Sequence, residues 1–425
     1  MPVATTSSEG YFTYEPSSPT SSSSSCPSSP SSSYRRPKTS PPLDVCVQIN
    51  ADIRANPTLN SPYFDLGGHI MNREYCMQNI IYPDETHETA TLLDVGVRDL
   101  LPAPVPPPVP PPKSRTFEIK ETPQKHGLGM FAAQNIPAGG LVAVEHPTVI
   151  LPYVLGVEPD CEAELYAELL GRLSASTAER FLSLANCKPG SSLKGIMNTN
   201  AVAIALDVPD VPHAELSTHR AVFLNMSRCN HSCSPNAAWH YDSPSFSLSL
   251  EALRPIEAGE EITVAYITTT CSAAERSARL EAMYNFTCSC TICSLPPLAL
   301  AQSDAARAEL AVFWRHSNRI PSFEAWCRDP RMGDTVLIDA HKRALDLIEH
   351  EGLQVLDYGK HLDAIAMGYG ALRNVYLFRA WMWRAREARP LGRLDAARVM
   401  QKWIREPETF PVWGWRRFSR GPRSS

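Results

Sequence analysis

The most informative part of the chain is a set of short motifs between residues 230 and 293. Residues 230–236 read NHSCSPN, residues 259–266 read GEEITVAY, and residues 288–293 read CSCTIC. Upstream, residues 125–131 read KHGLGMF, in which two glycines enclose a leucine. The fixed order of these motifs along one chain is more specific than any of them alone.

The CSCTIC segment has the spacing of a structural zinc site, because zinc in such sites favours four thiolates around one ion. The segment supplies only three ligands. Cys229, Cys233 and Cys271 are all candidates for the fourth, and spacing does not choose among them. The remaining cysteines are scattered, which in a reducing compartment indicates metal binding rather than disulfides. Three free, buried cysteines are the alternative.

Length and charge narrow the class of protein. The 425 residues are enough for two folded domains with tails. Residues 1–112 and 113–299 carry net charges of −5 and −6, whereas residues 300–425 carry +6. An acidic middle region suits a basic peptide better than nucleic-acid phosphate, so we expect no direct nucleic-acid binding. An ordinary solvated surface would explain the same charge.

The N-terminal part contains segments of unusual composition. Residues 1–45 are rich in serine and proline and are predicted to be disordered. Residues 46–100 have no assignable fold, and the nearly continuous prolines of residues 102–112 predict an extended linker. Residues 46–112 are therefore treated as an unassigned segment followed by a linker.

No targeting or membrane signal is recognisable. The first residues lack a secretory pattern, and no apolar run approaches the roughly 20 residues that cross a bilayer. We therefore expect an intracellular protein of the nucleus, the cytoplasm or both, with no membrane contact.

The next region is predicted to consist mainly of short strands with one helical insertion. One predicted helix covers residues 161–172, and a second begins at Ser176, where Glu179 completes a capping box. The predicted strands span residues 116–120, 141–145, 201–206, 238–241, 247–253 and 262–266.

Residues 300–410 are predicted to be helical. Ser303 is expected to cap a helix running through His316, and Asp334 one that ends before Gly352. A stripe from Leu362 to Tyr376 predicts one long helix, and residues 394–404 a further one. The predicted fold class is thus mixed and mostly β, followed by an all-α C-terminal region.

Taken in order, the motifs resemble the SET-domain protein lysine methyltransferases, closest to the SET-and-MYND branch. The resemblance covers residues 115–293. It implies a SET domain over residues 113–285, with a pseudoknot and a helical insertion at about residues 155–198, and a zinc-stapled post-SET segment over residues 286–295. Residues 152–198 contain only Cys161 and Cys187, too few for the additional MYND zinc module, so this chain resembles a relative without it.

The resemblance also implies a set of binding residues. Cys233 would close the zinc site with Cys288, Cys290 and Cys293. S-adenosylmethionine would be held by the backbone of Asn230 and His231 and by the Asn230 side chain, and Asn236 would brace the knot. The remaining residues expected at the cofactor are His126, Leu128 and Gly129 in the glycine loop, Asn200 in the insertion, and Phe286 near the adenine.

The resemblance finally implies a reaction. Tyr266 and Tyr284 would line a channel in which a neutral lysine amine of a histone or another protein attacks the cofactor's methyl group by in-line SN2 displacement. Burial beside a positive sulfur would disfavour the charged ammonium. A buried strand tyrosine is the alternative for Tyr266. For the whole chain, the alternative is a catalytically weak or inactive scaffold that binds protein partners through its helical C-terminus.

Overall fold

The computed structural model describes residues 58–64, 70–82, 87–98, 105–122, 127–153, 159–188, 190, 192–206, 218–315, 321–356, 358–388 and 394–418. The predicted disordered tail of residues 1–45 and the predicted cofactor residue His126 lie outside the described residues. Within the described ranges, no helix combines the length and apolar character that crossing a membrane would require.

The strand-rich part begins earlier than the sequence predicted. In the unassigned segment, strands β1 (Thr58–Phe64), β2 (Ile70–Ile81) and β3 (Glu88–Asp94) precede a short helix, α1 (Val95–Arg98). Then follow β4 (Phe117–Glu121), β5 (Leu128–Ala132), β6 (Leu141–Glu145) and β7 (Val149–Pro152). The later strands are β8 (Val202–Ala205), β9 (Thr218–Val222), β10 (Asn230–His231), β11 (Ala237–Asp242), β12 (Ser247–Ala252) and β13 (Glu261–Val264).

The strands form three sheets. The largest has six strands in the order β1-β2-β3-β7-β9-β8, so the N-terminal strands extend the sheet rather than form a separate unit. A four-stranded sheet has the order β10-β13-β5-β4, and a three-stranded sheet the order β11-β12-β6. β10 runs parallel to β13, which sets Asn230 opposite Thr263 and His231 opposite Val264. This pairing brings the NHSCSPN and GEEITVAY motifs side by side.

The helical insertion is confirmed, with one correction to its caps. It consists of α2 (Pro159–Gly171), α3 (Ala175–Leu182) and α4 (Leu193–Asn200). Buried residues of these helices, among them Leu165, Leu169 and Phe181, form a core with buried strand residues such as Leu92 and Val149. The predicted cap at Ser176 is wrong: the cap lies two residues earlier, at Ser174, whose side chain accepts from the backbone N–H of Thr177.

The all-α C-terminal region is confirmed. After α5 (Ala273–Tyr284) come α6 (Pro297–Arg315), α7 (Phe323–Arg328), α8 (Val336–Glu351), α9 (Tyr358–Ala371), α10 (Val375–Glu387), α11 (Leu394–Arg405) and α12 (Trp415–Phe418). Two predicted caps are wrong. Ser303 lies inside α6, where its hydroxyl contacts Glu351, and Asp334 precedes α8 but forms an ion pair with Arg416.

The predicted long helix from Leu362 to Tyr376 is two helices. Arg373 adopts a left-handed conformation with φ of 56°, which ends α9, and the side chain of Asn374 then caps α10. Leu362 is buried, whereas Tyr376 is 80% exposed, so the apolar stripe stops at the break. The end of α8 before Gly352 is confirmed, because Gly352 is its left-handed C-cap.

Candidate active site and metal centre

Four cysteines converge between the strand-rich part and the C-terminal helices. The sulfur atoms of Cys233, Cys288, Cys290 and Cys293 lie within 4.8 Å of one another, and all four cysteines are free. Tetrahedral zinc with bonds of about 2.3 Å spaces its sulfurs by about 3.8 Å, so the cluster has a suitable size. Four soft sulfur donors are the set that closed zinc sites use.

The structure also shows which cysteine joins the three of the CSCTIC segment as the fourth member of the cluster. Cys233 contacts Cys293 at a sulfur–sulfur distance of 3.6 Å. The sulfur of Cys229 instead lies 3.5 Å from the sulfur of Met130, and that of Cys271 donates to the Thr268 carbonyl. Hydrogen bonding from the Cys233 thiol, followed by Cys288 and Cys293, lowers the pKa of Cys290, which favours the thiolate that a metal binds.

His231 connects this cluster to the tyrosine of the second motif. Its Nδ1 atom accepts the backbone N–H of Tyr266 at 3.0 Å, and its Nε2 atom lies 3.4 Å from the sulfur of Cys233. Because Nδ1 is the acceptor, Nε2 carries the proton and donates it toward the sulfur. The imidazole is therefore a bridge between Cys233 and the backbone at Tyr266.

Two phenols lie next to each other at this point. The hydroxyl of Tyr266, two residues beyond the end of β13, donates to the Cys229 carbonyl at 2.6 Å. The ring centroids of Tyr266 and Tyr284 are 4.9 Å apart. Tyr284 is only 5% exposed, and its hydroxyl has no hydrogen-bond partner among the described residues. Burial raises the pKa of both phenols, so both remain neutral.

Helix α5 determines where Tyr284 and Phe286 lie. Ser272 and Glu275 form a reciprocal capping box at its start, and Tyr284 is its last residue. Asn285 then adopts a left-handed conformation with φ of 56°. That turn leads into Phe286, whose ring centroid lies 6.3 Å from that of His231. The aromatic groups and the CSCTIC segment are thus positioned by the same helix end.

The glycine loop packs against the first motif. A Cβ atom built on Gly129 would lie 2.6 Å from the Thr122 side chain and 3.0 Å from the Asn230 amide nitrogen, so only glycine fits. The Asn230 amide donates to the carboxylate of Glu261 at 2.8 Å and reaches the Leu128 carbonyl at 3.4 Å. Leu128 is 40% exposed, and it contacts Asn230 through its backbone carbonyl rather than its side chain.

The middle of the chain is similar to a known domain family. A family model for the SET domain matches residues 127–267, which contain the glycine loop, the NHSCSPN motif and Tyr266. The match to the SET domain thus covers about a third of the chain.

Three relatives illustrate the similarity. Histone-lysine N-methyltransferase set5 of Schizosaccharomyces pombe is 29% identical over 206 residues, which are 48% of this chain and 58% of the relative. Protein-lysine N-trimethyltransferase SMYD5 of Gallus gallus is 43% identical over 88 residues, 20% of this chain and 19% of the relative. Histone-lysine N-methyltransferase SMYD3 of Mus musculus is 40% identical over 72 residues, 17% of this chain and 16% of the relative. The chain therefore spans little more than half of the first relative and under a fifth of the other two.

Two asparagines of the SET domain have structural partners. Asn236 is buried, donates to Glu260 and the Glu261 carbonyl, and accepts the N–H of Thr263 at 2.7 Å. These bonds hold the strand that leads to Tyr266. Asn200 donates its amide to the carbonyls of Ala185 and Ile196, both at 2.7 Å. A cofactor contact by Asn200 would therefore use its remaining amide oxygen.

Sequence reasoning missed several residues around the SET-domain site. Cys187 of the insertion lies with its sulfur 3.8 Å from the carbonyl of Met283, the residue directly before Tyr284. No local pattern marks such a loop residue. Glu261 could have been found, because it is the second glutamate of GEEITVAY and strand pairing places it near Asn230.

Proposed function

We propose that this protein is an S-adenosylmethionine-dependent protein-lysine N-methyltransferase whose substrate is a histone or another protein. The observation that carries the proposal is the pair of adjacent, neutral phenols of the half-buried Tyr266 and the buried Tyr284, of which Tyr284 keeps a hydroxyl without a partner among the described residues. A buried hydroxyl without a partner is costly, and an entering amine would supply one. The relatives named as lysine methyltransferases support the same chemistry.

The residues at the glycine loop suit the cofactor. The close fit of Gly129 against Asn230 leaves main-chain atoms where a side chain would otherwise intervene. When bound, S-adenosylmethionine supplies a methyl group on a positively charged sulfur. The residues proposed to hold it are His126, Leu128, Gly129, Asn200, Asn230, His231 and Phe286.

The chain's own role is to deliver a neutral amine. A free lysine has a pKa of about 10.4, and an ammonium has no lone pair with which to attack. Burial between the rings of Tyr266 and Tyr284 disfavours the charged form. Because Tyr266 donates its proton to the Cys229 carbonyl, its oxygen remains an acceptor that can orient the amine N–H groups. With the cofactor held by the residues proposed above, its methyl group would be the one that the lysine receives, while the Tyr266 oxygen would orient the amine and the amine proton would leave to solvent.

The four-cysteine cluster has a structural role in this proposal. Cys233, Cys288, Cys290 and Cys293 would hold zinc in a closed site, with no open position for substrate. Through His231 the cluster is bonded to the backbone of Tyr266, so the metal would assemble the pocket without joining the chemistry.

A binding and turnover comparison tests the proposal. S-adenosylmethionine is titrated into the wild type and into Tyr266→Phe, and methylation of a lysine-peptide array is followed by mass spectrometry. We expect binding in both proteins and a loss of turnover of about 100-fold or more in the variant, because the amine loses its orienting oxygen. Tyr376→Phe, a change at an 80% exposed tyrosine, is the control and should behave as wild type.

Each outcome separates the enzyme from the scaffold. Binding with turnover that depends on Tyr266 supports the enzyme. If neither protein binds the cofactor, the enzyme proposal is wrong. The alternative, a scaffold that binds protein partners through its helical C-terminus, would then be favoured. Equal turnover in wild type and Tyr266→Phe would remove the role of this phenol.

A further inference from the structure

Two arginines lie completely buried beside the cysteine cluster. Arg276 is on α5 and Arg307 is on α6, and both are 0% exposed. Arginine is almost never fully buried without a compensating negative charge. Each of these two guanidinium groups should therefore have negatively charged groups close to it.

The partners of Arg276 do not satisfy it. Its Nη1 atom donates to the Cys271 carbonyl at 2.5 Å and lies 3.4 Å from a carboxylate oxygen of Asp304. Its Nε and Nη2 atoms are buried, and neither has an oxygen or nitrogen acceptor within the part of the chain that the structure describes. The side chains of Cys233 and Cys293 lie within hydrogen-bonding reach of this guanidinium.

Arg307 is better satisfied and connects three parts of the molecule. It donates to the Cys233 carbonyl at 2.9 Å and to the Thr269 carbonyl at 2.7 Å. It also donates to the carboxylate of Glu351, the last residue of α8, at 2.9 Å. Ser303 of α6 donates to the same carboxylate at 2.5 Å. The loop that carries Cys233 is thereby bonded to both α6 and α8.

From these contacts we infer that Arg276, whose side chain neighbours the sulfurs of Cys233 and Cys293, is the counter-charge of a metal–tetrathiolate cluster. We further infer that, through Arg307, loading of the metal fixes the helical C-terminal region onto the SET domain. The inference rests on the metal site of the proposed function and not on methyl transfer.

The reason is charge balance. Four thiolates carry more negative charge than one divalent ion neutralises, so a closed cluster needs positive charge nearby. Four neutral thiols would add no negative charge to that of Asp304, whose carboxylate reaches only the Nη1 atom of Arg276 at 3.4 Å. Outer partners that hydrogen-bond to metal ligands also fix the ligands' orientation and strengthen binding.

The inference has a consequence for the proposed active site. Tyr284 lies eight positions beyond Arg276 on α5, about 12 Å along the helix axis. An attraction between Arg276 and the metal cluster would hold this helix in register. Arg276 is in that sense a positioning residue for Tyr284.

The first test measures metal affinity in full-length variants. Zinc is removed from wild type, Arg276→Gln, Arg276→Lys and the matched control Arg279→Gln on the same helix by competition with a chromogenic chelator. We expect Arg276→Gln to bind zinc about 10- to 100-fold more weakly, with Arg276→Lys intermediate and Arg279→Gln unchanged. Cobalt absorption spectra should show altered sulfur-to-metal bands only in the Arg276 variants. Equal affinity and equal spectra for Arg276→Gln and Arg279→Gln would overturn the inference.

The second test uses the wild type and does not require any variant to fold. Amide hydrogen exchange is compared before and after the metal is chelated. We expect faster exchange in α6 and α8, around the buried Ser303 and Glu351, with α10 and α11 unchanged. A change confined to residues 286–295, or a failure of the wild type to bind added zinc, would overturn the inference. Neither readout involves methylation, so loss of turnover with these results intact would count against the proposed function alone.

Discussion

At the scale of single residues, the protonation of Tyr266 gives a measurable signature. Burial raises its pKa above the ordinary 10.0, so the folded protein keeps a proton that the unfolded chain releases. This contribution to the free energy of unfolding is complete below about pH 10 and is lost as the pH rises beyond it. We therefore expect the stability gap between wild type and Tyr266→Phe in urea unfolding to narrow above about pH 10. In the exposed control Tyr376→Phe the gap should not change with pH, and parallel curves for Tyr266→Phe would contradict the burial of its hydroxyl.

Gly129 gives a second prediction at this scale. In Gly129→Ala the new methyl group would lie 2.6 Å from the Thr122 side chain and 3.0 Å from the Asn230 amide. We expect a loss of about 1–3 kcal/mol in the free energy of unfolding, with weakened cofactor binding as Asn230 is displaced. Gly359→Ala in α9 is the control, because its Cβ meets nothing within 4 Å. If Gly129→Ala and Gly359→Ala have equal urea midpoints and equal cofactor affinity, the glycine loop can adjust to the added methyl group.

The site was predictable to the extent that its residues belong to contiguous motifs. The sequence predicted the CSCTIC cluster because three sulfurs within one short segment are forced together. It did not predict Cys187 or Arg276, which reach the site from an insertion and a helix interior. Their contacts depend on how separate elements pack, and packing over long sequence separations leaves no local pattern. The same limit left Cys229, Cys233 and Cys271 equivalent until the resemblance or the structure chose among them.

At the scale of elements, α5 is the helix on which the site depends most. Its capping box joins Ser272 and Glu275, and it carries both Arg276 and Tyr284. Ser272→Ala should lower the free energy of unfolding by about 0.5–2 kcal/mol, because the backbone N–H of Glu275 at the helix start loses its acceptor. Ser277→Ala, at an exposed position in the middle of the same helix, should be neutral or slightly stabilising. Equal urea midpoints for the two variants would show that this cap contributes nothing.

Element types were easier to predict than element ends. Strands β6 and β12 coincide with their predicted ranges because apolar and β-branched residues mark them densely. Helix starts were misplaced where a serine or aspartate had a better partner in space. Asp334 pairs with Arg416, and Ser303 contacts Glu351, so neither side chain caps a helix. Strands β1 to β3 were missed, and β3 joins the rest of its sheet only through β7, which comes much later in the sequence.

At the scale of the whole molecule, the contact between the SET domain and the C-terminal helices depends on a buried ion pair. Arg307 and Glu351 are 0% and 3% exposed and lie 2.9 Å apart. Glu351→Gln keeps the shape but leaves a buried guanidinium uncompensated, so we expect a loss of about 3–5 kcal/mol in the free energy of unfolding. The control is Glu309→Gln, which breaks an exposed pair with Arg343 and should cost at most about 1 kcal/mol. Urea unfolding of both variants measures the two losses in the free energy of unfolding. Similar small losses would mean that the carbonyls of Cys233 and Thr269 suffice for Arg307, and that the helices are held to the SET domain mainly by apolar packing.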